Sequence, residues 1–266
     1  MILIAERINA GFKDIAGALR EKDETPVQEW ARRQAGQGAD YLDLNIGAVS
    51  KEPSDMHWLV EMVQKAVSTP ICVDSTRMGV LKAGLEVGDG RPFLINSTTA
   101  DPEKLEQVVP LAVEHGAGLI GVAMDQRGSP QDVDRRVENA AQIFAMATDA
   151  GLTPDQLFLD PVLMPMRFMQ EQGPRVLEAI SQYAMLSEPP PHISVGLSNI
   201  SSQTSEKKLI ARTFVVMAMT QGLDAAICDV TDNGLLDAIA TVDLILNKEI
   251  YSDAYLRAYR MKRGAS

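Results

Sequence analysis

Two cysteines, three histidines and 5% aromatic side chains are few for a chain of 266 residues. Cys72 and Cys228 cannot make a disulfide framework. His57, His115 and His192 stand at no metal-ligand spacing to one another, so no metal is expected to be bound by this chain. No apolar run approaches the roughly 20 residues that a membrane helix needs. The opening Met-Ile-Leu-Ile-Ala turns charged at Glu6, too early for a signal peptide, and a cytoplasmic location is expected. Cations are outnumbered, 25 Lys and Arg against 36 Asp and Glu, which leaves −11. So acidic a surface repels phosphate backbones and anionic lipid, so neither nucleic acid nor a membrane is expected as a partner. No Walker loop and no H-E-x-x-H is present.

What is present is a core and a rhythm. Apolar residues make up 45% and charged residues 23%, the mix of a folded globular chain. Short apolar segments at Ile2–Ala5, Tyr41–Ile46, Ile71–Asp74, Pro92–Asn96, Gly118–Met124, Leu157–Asp160, Ile193–Ser198 and Ala225–Asp229 read as strands. Helical spacing fills the gaps: Trp58, Met62 and Ala66; Leu105, Val109 and Val113; Val137, Ala141 and Phe144; Ile210, Phe214 and Met217; Leu235, Ile239 and Val242. Thr25-Pro26, Asp101-Pro102 and Asp232 look like helix caps. Eight strand–helix units of about 33 residues predict an α/β fold, a single (β/α)8 TIM barrel over residues 1–266. An open doubly wound sheet is the main rival and usually has fewer strands.

The predicted strands end in polar residues that packing does not require. Glu6, Arg7 and Asn9 follow the first, Asp43 and Asn45 share a face of the second, and Asp74-Ser75 closes the third. Asn96-Ser97-Thr98, Asp160, Ser198-Asn199 and Asp229 close four more. In a barrel these ends converge on one rim, where such folds place their active sites. A ring of carboxylates and amides suits a neutral heterocycle rich in donors better than a phosphate. Single Asp and Asn residues at strand ends also cap helices, which is the plainer account of any one of them. Asp43 is expected to be structural, paired with Arg7. Gly116 to Gly121 matches G-x-G-x-x-G, but a helix precedes it and a strand runs through it, so it reads as a helix-to-strand turn. The loop Met164-Pro165-Met166-Arg167-Phe168-Met169 is either packing or a soft docking surface.

Glu6-Arg7-Ile8-Asn9, Leu42-Asp43-Leu44-Asn45, Val73-Asp74-Ser75-Thr76, Ile95-Asn96-Ser97-Thr98, Asp160-Pro161 and Gly196-Leu197-Ser198-Asn199 stand in this order at successive strand ends. With them the chain resembles the methyltetrahydrofolate–corrinoid protein methyltransferases, the pterin-binding barrels related to dihydropteroate synthase. The resemblance covers essentially the whole chain, including Val27 to Gln34 and Leu111 to Ala117. It implies that Asp74, Asn96 and Asp160 hydrogen-bond the pterin, with Asp160 on its 2-amino and N3 edge. Glu6 is then a further pocket carboxylate, Gly196 and Ser198 line the floor, and Asn199 reaches N5. Lys207 stands where the family often carries arginine, and the two are not equivalent donors.

The implied substrate is tetrahydrofolate or 5-methyltetrahydrofolate, and the implied partner is a corrinoid (cobalamin) protein, since this chain has no second domain to hold a corrin. The family is commonly homodimeric, and a homodimer is expected. A tertiary amine leaves only when N5 gains a proton or strong hydrogen-bond donation, which an asparagine can supply. Either direction of methyl transfer fits. A dihydropteroate synthase would carry Ser-Arg-Lys after the seventh strand, where Gly-Leu-Ser-Asn-Ile-Ser stands instead. A non-catalytic folate-binding subunit could dispense with Asn199.

Overall fold

The computed structural model describes residues 1–264. Eight parallel strands close into a barrel in sequence order: β1 Ile2–Asn9, β2 Tyr41–Asn45, β3 Ile71–Asp74, β4 Phe93–Thr99, β5 Gly118–Val122, β6 Leu157–Asp160, β7 His192–Gly196 and β8 Ala225–Cys228. The (β/α)8 expectation holds, and β3 and β6 keep both predicted ends. The first strand runs four residues further than its apolar stretch, to Asn9, through a register shift between Ala5 and Ile8. The seventh stops at Gly196, so Ser198 and Asn199 lie in a short helix rather than in the strand.

The helices are α1 Lys13–Glu21, α2 Glu24–Gly36, α3 Pro53–Ala66, α4 Met78–Leu85, α5 Pro102–Glu114, α6 Val133–Asp149, α7 Gln172–Tyr183, α8 Leu197–Ile200, α9 Lys207–Met219, α10 Asn233–Ile245 and α11 Tyr255–Gly264. Asp101 and Asp232 cap α5 and α10 through the Glu103 and Gly234 amides. Thr25-Pro26 is not a cap. Asp23 starts α2 and accepts from the Thr25 amide, so the pair lies inside the first turn. Gly116, at φ +58, makes the predicted turn into β5.

Three apolar stripes need correction. Val113 and Met217 are exposed, because the buried faces of α5 and α9 run through Ala112 and through Val215 and Ala218. In α6 the inner face is Arg136, Ala140, Ile143 and Ala147, not Val137, Ala141 and Phe144. The helix approaches β5 closely enough that a Cβ on Gly121 would stand 2.5 Å from Ile143. Only glycine lets α6 sit at that depth, with Arg136 wholly buried.

Strand pleating puts alternate residues inside the barrel. Its lower interior is a cluster of Ile4, Cys72, Leu94, Ile120, Phe158 and Ala225, all buried. One pleat further along the same strands come Glu6, Asp74, Asn96, Val122, Asp160 and Ile227. Among the described residues no helix is long and apolar enough to cross a membrane.

Candidate active site

The upper interior starts as a level row. Asn9 pairs in register with Asn45, Asn45 with Asp74, and Asp74 with Asn96. The Asn45 amide donates to Asp74 Oδ2 at 2.6 Å, and the Asn96 amide donates to Asp43 Oδ1 at 3.1 Å. Asp43 is therefore not paired with Arg7. Arg7 turns outward, making a two-pronged bond to Asp14 and stacking on Phe12 at 3.9 Å and Trp30 at 4.2 Å. The Cys72 thiol, in register on β3, supplies the second bond to Asp43.

On the far side of the mouth the β6–β7 ladder ends at Leu159 and Ile193. Above that point the strands part, and the Asp160 carboxylate takes their place as acceptor. It bonds the Gly196 amide across the gap and the Val162 amide, at 2.7 Å, along its own chain. Gly196 also makes room for Asn199. A Cβ there would stand 2.7 Å from Asn199 Nδ2, so the amide folds back over the end of β7. The Asn199 side chain is exposed and has no hydrogen-bond partner among the described residues. The Ser198 hydroxyl, from the same short helix, donates to Glu6 Oε1 at 2.5 Å.

Capping explains some of these residues and not others. Asn9, Asn45 and Asp229 each bond a backbone amide two residues on, at Gly11, Gly47 and Thr231, which is ordinary turn chemistry. Asp74 and Asn96 make no such bond among the described residues, and their polar groups face the barrel. Asp160 does both.

The electrostatics are unfavourable for ionised carboxylates. Burial pushes Asp74 up to about 6, only partly offset by the Asn45 amide. It pushes Asp160 up to about 6 as well, against the Val162 and Gly196 amides and the Arg136 charge. Glu6 is raised by burial, pulled back by the Ser198 hydroxyl and raised again by Asp229. Asp43 is raised too, by burial first and then by the neighbouring Asp74 charge. Each carboxylate can accept more hydrogen bonds than the one or two that the protein brings to it.

A cleft of about 630 Å³ meets the ring at Glu6 and Ser198 and runs outward past Phe12, Trp30, Lys207 and Lys208. Asp74, Asn96, Asp160, Gly196 and Asn199 do not line it; they form the mouth beside it. Lys207 opens α9 there and has no ionic partner among the described residues. The methionine loop is both stapled and exposed. The Met166 amide bonds Ile200 O, Arg167 bonds Gln203 O, and Phe168 stands 62% exposed. Asn45 stands in the predicted strand-end ring without an assigned role, and Arg136 is a part of this site that the residue pattern missed. The spacing of residues 136, 140, 143 and 147 was the available signal for Arg136.

The family described as pterin binding enzyme matches residues 6–229, and the chain belongs to it. It is 30% identical over 265 residues to a methylcorrinoid:tetrahydrofolate methyltransferase of Eubacterium limosum, covering 98% of this chain and 96% of that one. It is 29% identical over 240 residues to a methionine synthase of Mycobacterium tuberculosis, 85% of this chain but 20% of that longer protein. A Coxiella burnetii dihydropteroate synthase in complex with pteroic acid superposes with a TM-score of 0.69 at 12% identity, over 91% of this chain and 94% of that chain. A Yersinia pestis dihydropteroate synthase in a sulfonamide drug complex gives 0.70 at 14% identity, over 93% and 94%. At such identities the likeness establishes the fold.

Proposed function

We propose that this chain, acting as one pterin-binding domain, moves a methyl group between N5 of tetrahydrofolate and the cobalt of a separate corrinoid protein. The observation that carries the reading is the uncommitted Asn199 amide, set over Gly196 beside a ring of donor-starved carboxylates. The long match to a methylcorrinoid:tetrahydrofolate methyltransferase supports it.

The residues fit a pterin. Its N3–H and 2-amino group form a parallel donor pair, which a carboxylate accepts with both oxygens. Asp160 supplies that acceptor, while Asp74 and Asn96 meet the remaining polar edge. Glu6 and Ser198 border the cleft, and Lys207 is placed to meet a carboxylate on the folate tail. In the transfer the methyl carbon exchanges its bond to N5 for one to cobalt, and N5 keeps the electron pair. Asn199 stabilises N5 through that change, by donating to it or by accepting from its proton. The same contacts serve either direction, because the reverse path crosses the same transition state. The protein's part is to bind, orient and stabilise charge, which needs no nucleophile of its own.

Phe168 and Arg167 at the mouth are the proposed contact for the corrinoid protein. The test of the whole reading is an anaerobic assay of methyl transfer from 5-methyltetrahydrofolate to cob(I)alamin, followed by the cobalamin absorbance change. Turnover that depends on Asn199 is expected, and a chain that binds folate without turnover would reduce it to a binding subunit.

A further inference from the structure

Arg136 is a cation with no exposed surface, carried on the inner face of α6. Its Nη1 donates to the Pro161 and Val162 carbonyls, the latter at 2.9 Å. Nε and Nη2 have no partner among the described residues. A buried guanidinium with idle donors weakens a fold relative to an apolar side chain of similar volume. Stability therefore does not account for it.

The segment it grips does. Val162 is a β-branched residue at φ +70, a left-handed conformation that such a side chain disfavours. In that conformation its N–H points back to Asp160 Oδ1 at 2.7 Å. That N–H shares one peptide plane with the Pro161 carbonyl that Arg136 holds, so a turn of the plane would swing the amide away and free the carboxylate. We infer that Arg136 is a positioning residue, which clamps the left-handed Pro161–Val162 turn and so fixes Asp160 in the orientation that takes the pterin edge. The inference rests on the reading of Asp160 as the pterin contact.

Around Arg136 the ionisable groups are few. From α7 the Tyr183 hydroxyl donates to the Arg136 carbonyl at 2.9 Å, and Arg175 adds a second positive charge. Asp132 precedes α6, and Asp160 ends β6. Asp160 in turn feels Arg136 as the cation opposing its burial. Arg136 thus acts on Asp160 twice, through the turn and through its charge.

Titration of the full chain with tetrahydrofolate between pH 5 and 8 separates the two. Arg136→Met is expected to bind about tenfold more weakly and to move the rise of affinity, near pH 6 in the parent, upward by about one unit. Arg136→Lys keeps the charge but not the fork, so its midpoint holds while affinity falls. Asp74 titrates in the same range, and comparison with Asp160→Asn assigns the midpoint. In the Asp160→Asn background Arg136→Lys should add no further loss, whereas two independent structural losses would add.

Parental affinity and midpoint in Arg136→Met, or full additivity in the double variant, would overturn the inference. If Arg136→Met does not fold, Arg136→Lys and the double variant decide. Hydrogen exchange of the Val162 amide is the check that needs no ligand. It should quicken in Arg136→Lys, and unchanged protection contradicts the clamp. If tetrahydrofolate does not bind the parent, the folate reading falls, and the Val162 exchange still decides whether Arg136 holds the turn.

Discussion

The lower and upper halves of this barrel are built by the same strands and obey opposite rules. Below, Ile4, Leu94, Ile120, Phe158 and Ala225 fill the interior, and Cys72 among them turns its thiol to Asp43 beside it. Near that end His192 meets Asp224 at 2.6 Å, and Asp40 takes the Leu3 amide and Arg263, while the buried Ser194 hydroxyl has no partner among the described residues. Above, one pleat along, Glu6, Asp74, Asn96 and Asp160 replace four of the six apolar side chains and stand at the barrel mouth with acceptor sites to spare. The lower half holds the barrel closed. The upper half spends part of that stability on groups that only a ligand completes, which is how a binding site differs from a core.

That contrast breaks first, and most severely, at Asn199. Asn199→Ala should slow methyl transfer by two or more orders of magnitude while folate affinity changes little, by analogy with loss of a transition-state donor. Near-parental turnover removes Asn199 from the chemistry. Gly196→Ala should cost about tenfold in turnover with a smaller loss of stability, because the new Cβ displaces the Asn199 amide. A transfer rate equal to the parent's means that the amide works from another position.

Asp74 tests the electrostatic half of the comparison. Its folded value of about 6 lies above the ordinary 3.8, so the native state holds the extra proton between those values. Its contribution is therefore fully present below about pH 4 and is lost as pH rises through 6, at about 1.4 kcal/mol per unit. Asp74→Asn should remove that slope and gain roughly 1–3 kcal/mol over the parent at pH 8 in denaturant melts. Equal pH dependence in parent and variant refutes the strained-carboxylate account. The smallest effect is expected below: Ile120→Val should cost about 0.5–1.5 kcal/mol. Folate affinity and its pH profile should stay at parental values, and a shifted profile would show that the two halves are coupled.

Much of this contrast was legible in the sequence. The polar residue closing each apolar run marked the rim, and Glu6, Asp74, Asn96 and Asp160 stand where that pattern put them. Gly196, Ser198 and Lys207 gather at the same mouth. What escaped was set by neighbours in space. The end of β1 lies beyond its apolar stretch because a register shift carries pairing past Glu6 and Arg7. Asp43 found Asn96 rather than Arg7, since Trp30 and Phe12, on other elements, draw the guanidinium outward. The inner face of α6 was misjudged by one residue, because a buried arginine breaks the apolar pattern by which such faces are read. Asn45 closes a turn through the Gly47 amide, yet its own amide also holds Asp74.

The central claim is that the upper ring takes a pterin through Asp160. An anaerobic calorimetric titration of 5-methyltetrahydrofolate into the parent and Asp160→Asn at pH 7.5 tests it most directly. Saturable one-to-one binding to the parent, weakened about 10- to 100-fold in the variant, is the predicted result. No binding to a folded parent, or equal affinity in both, would contradict it.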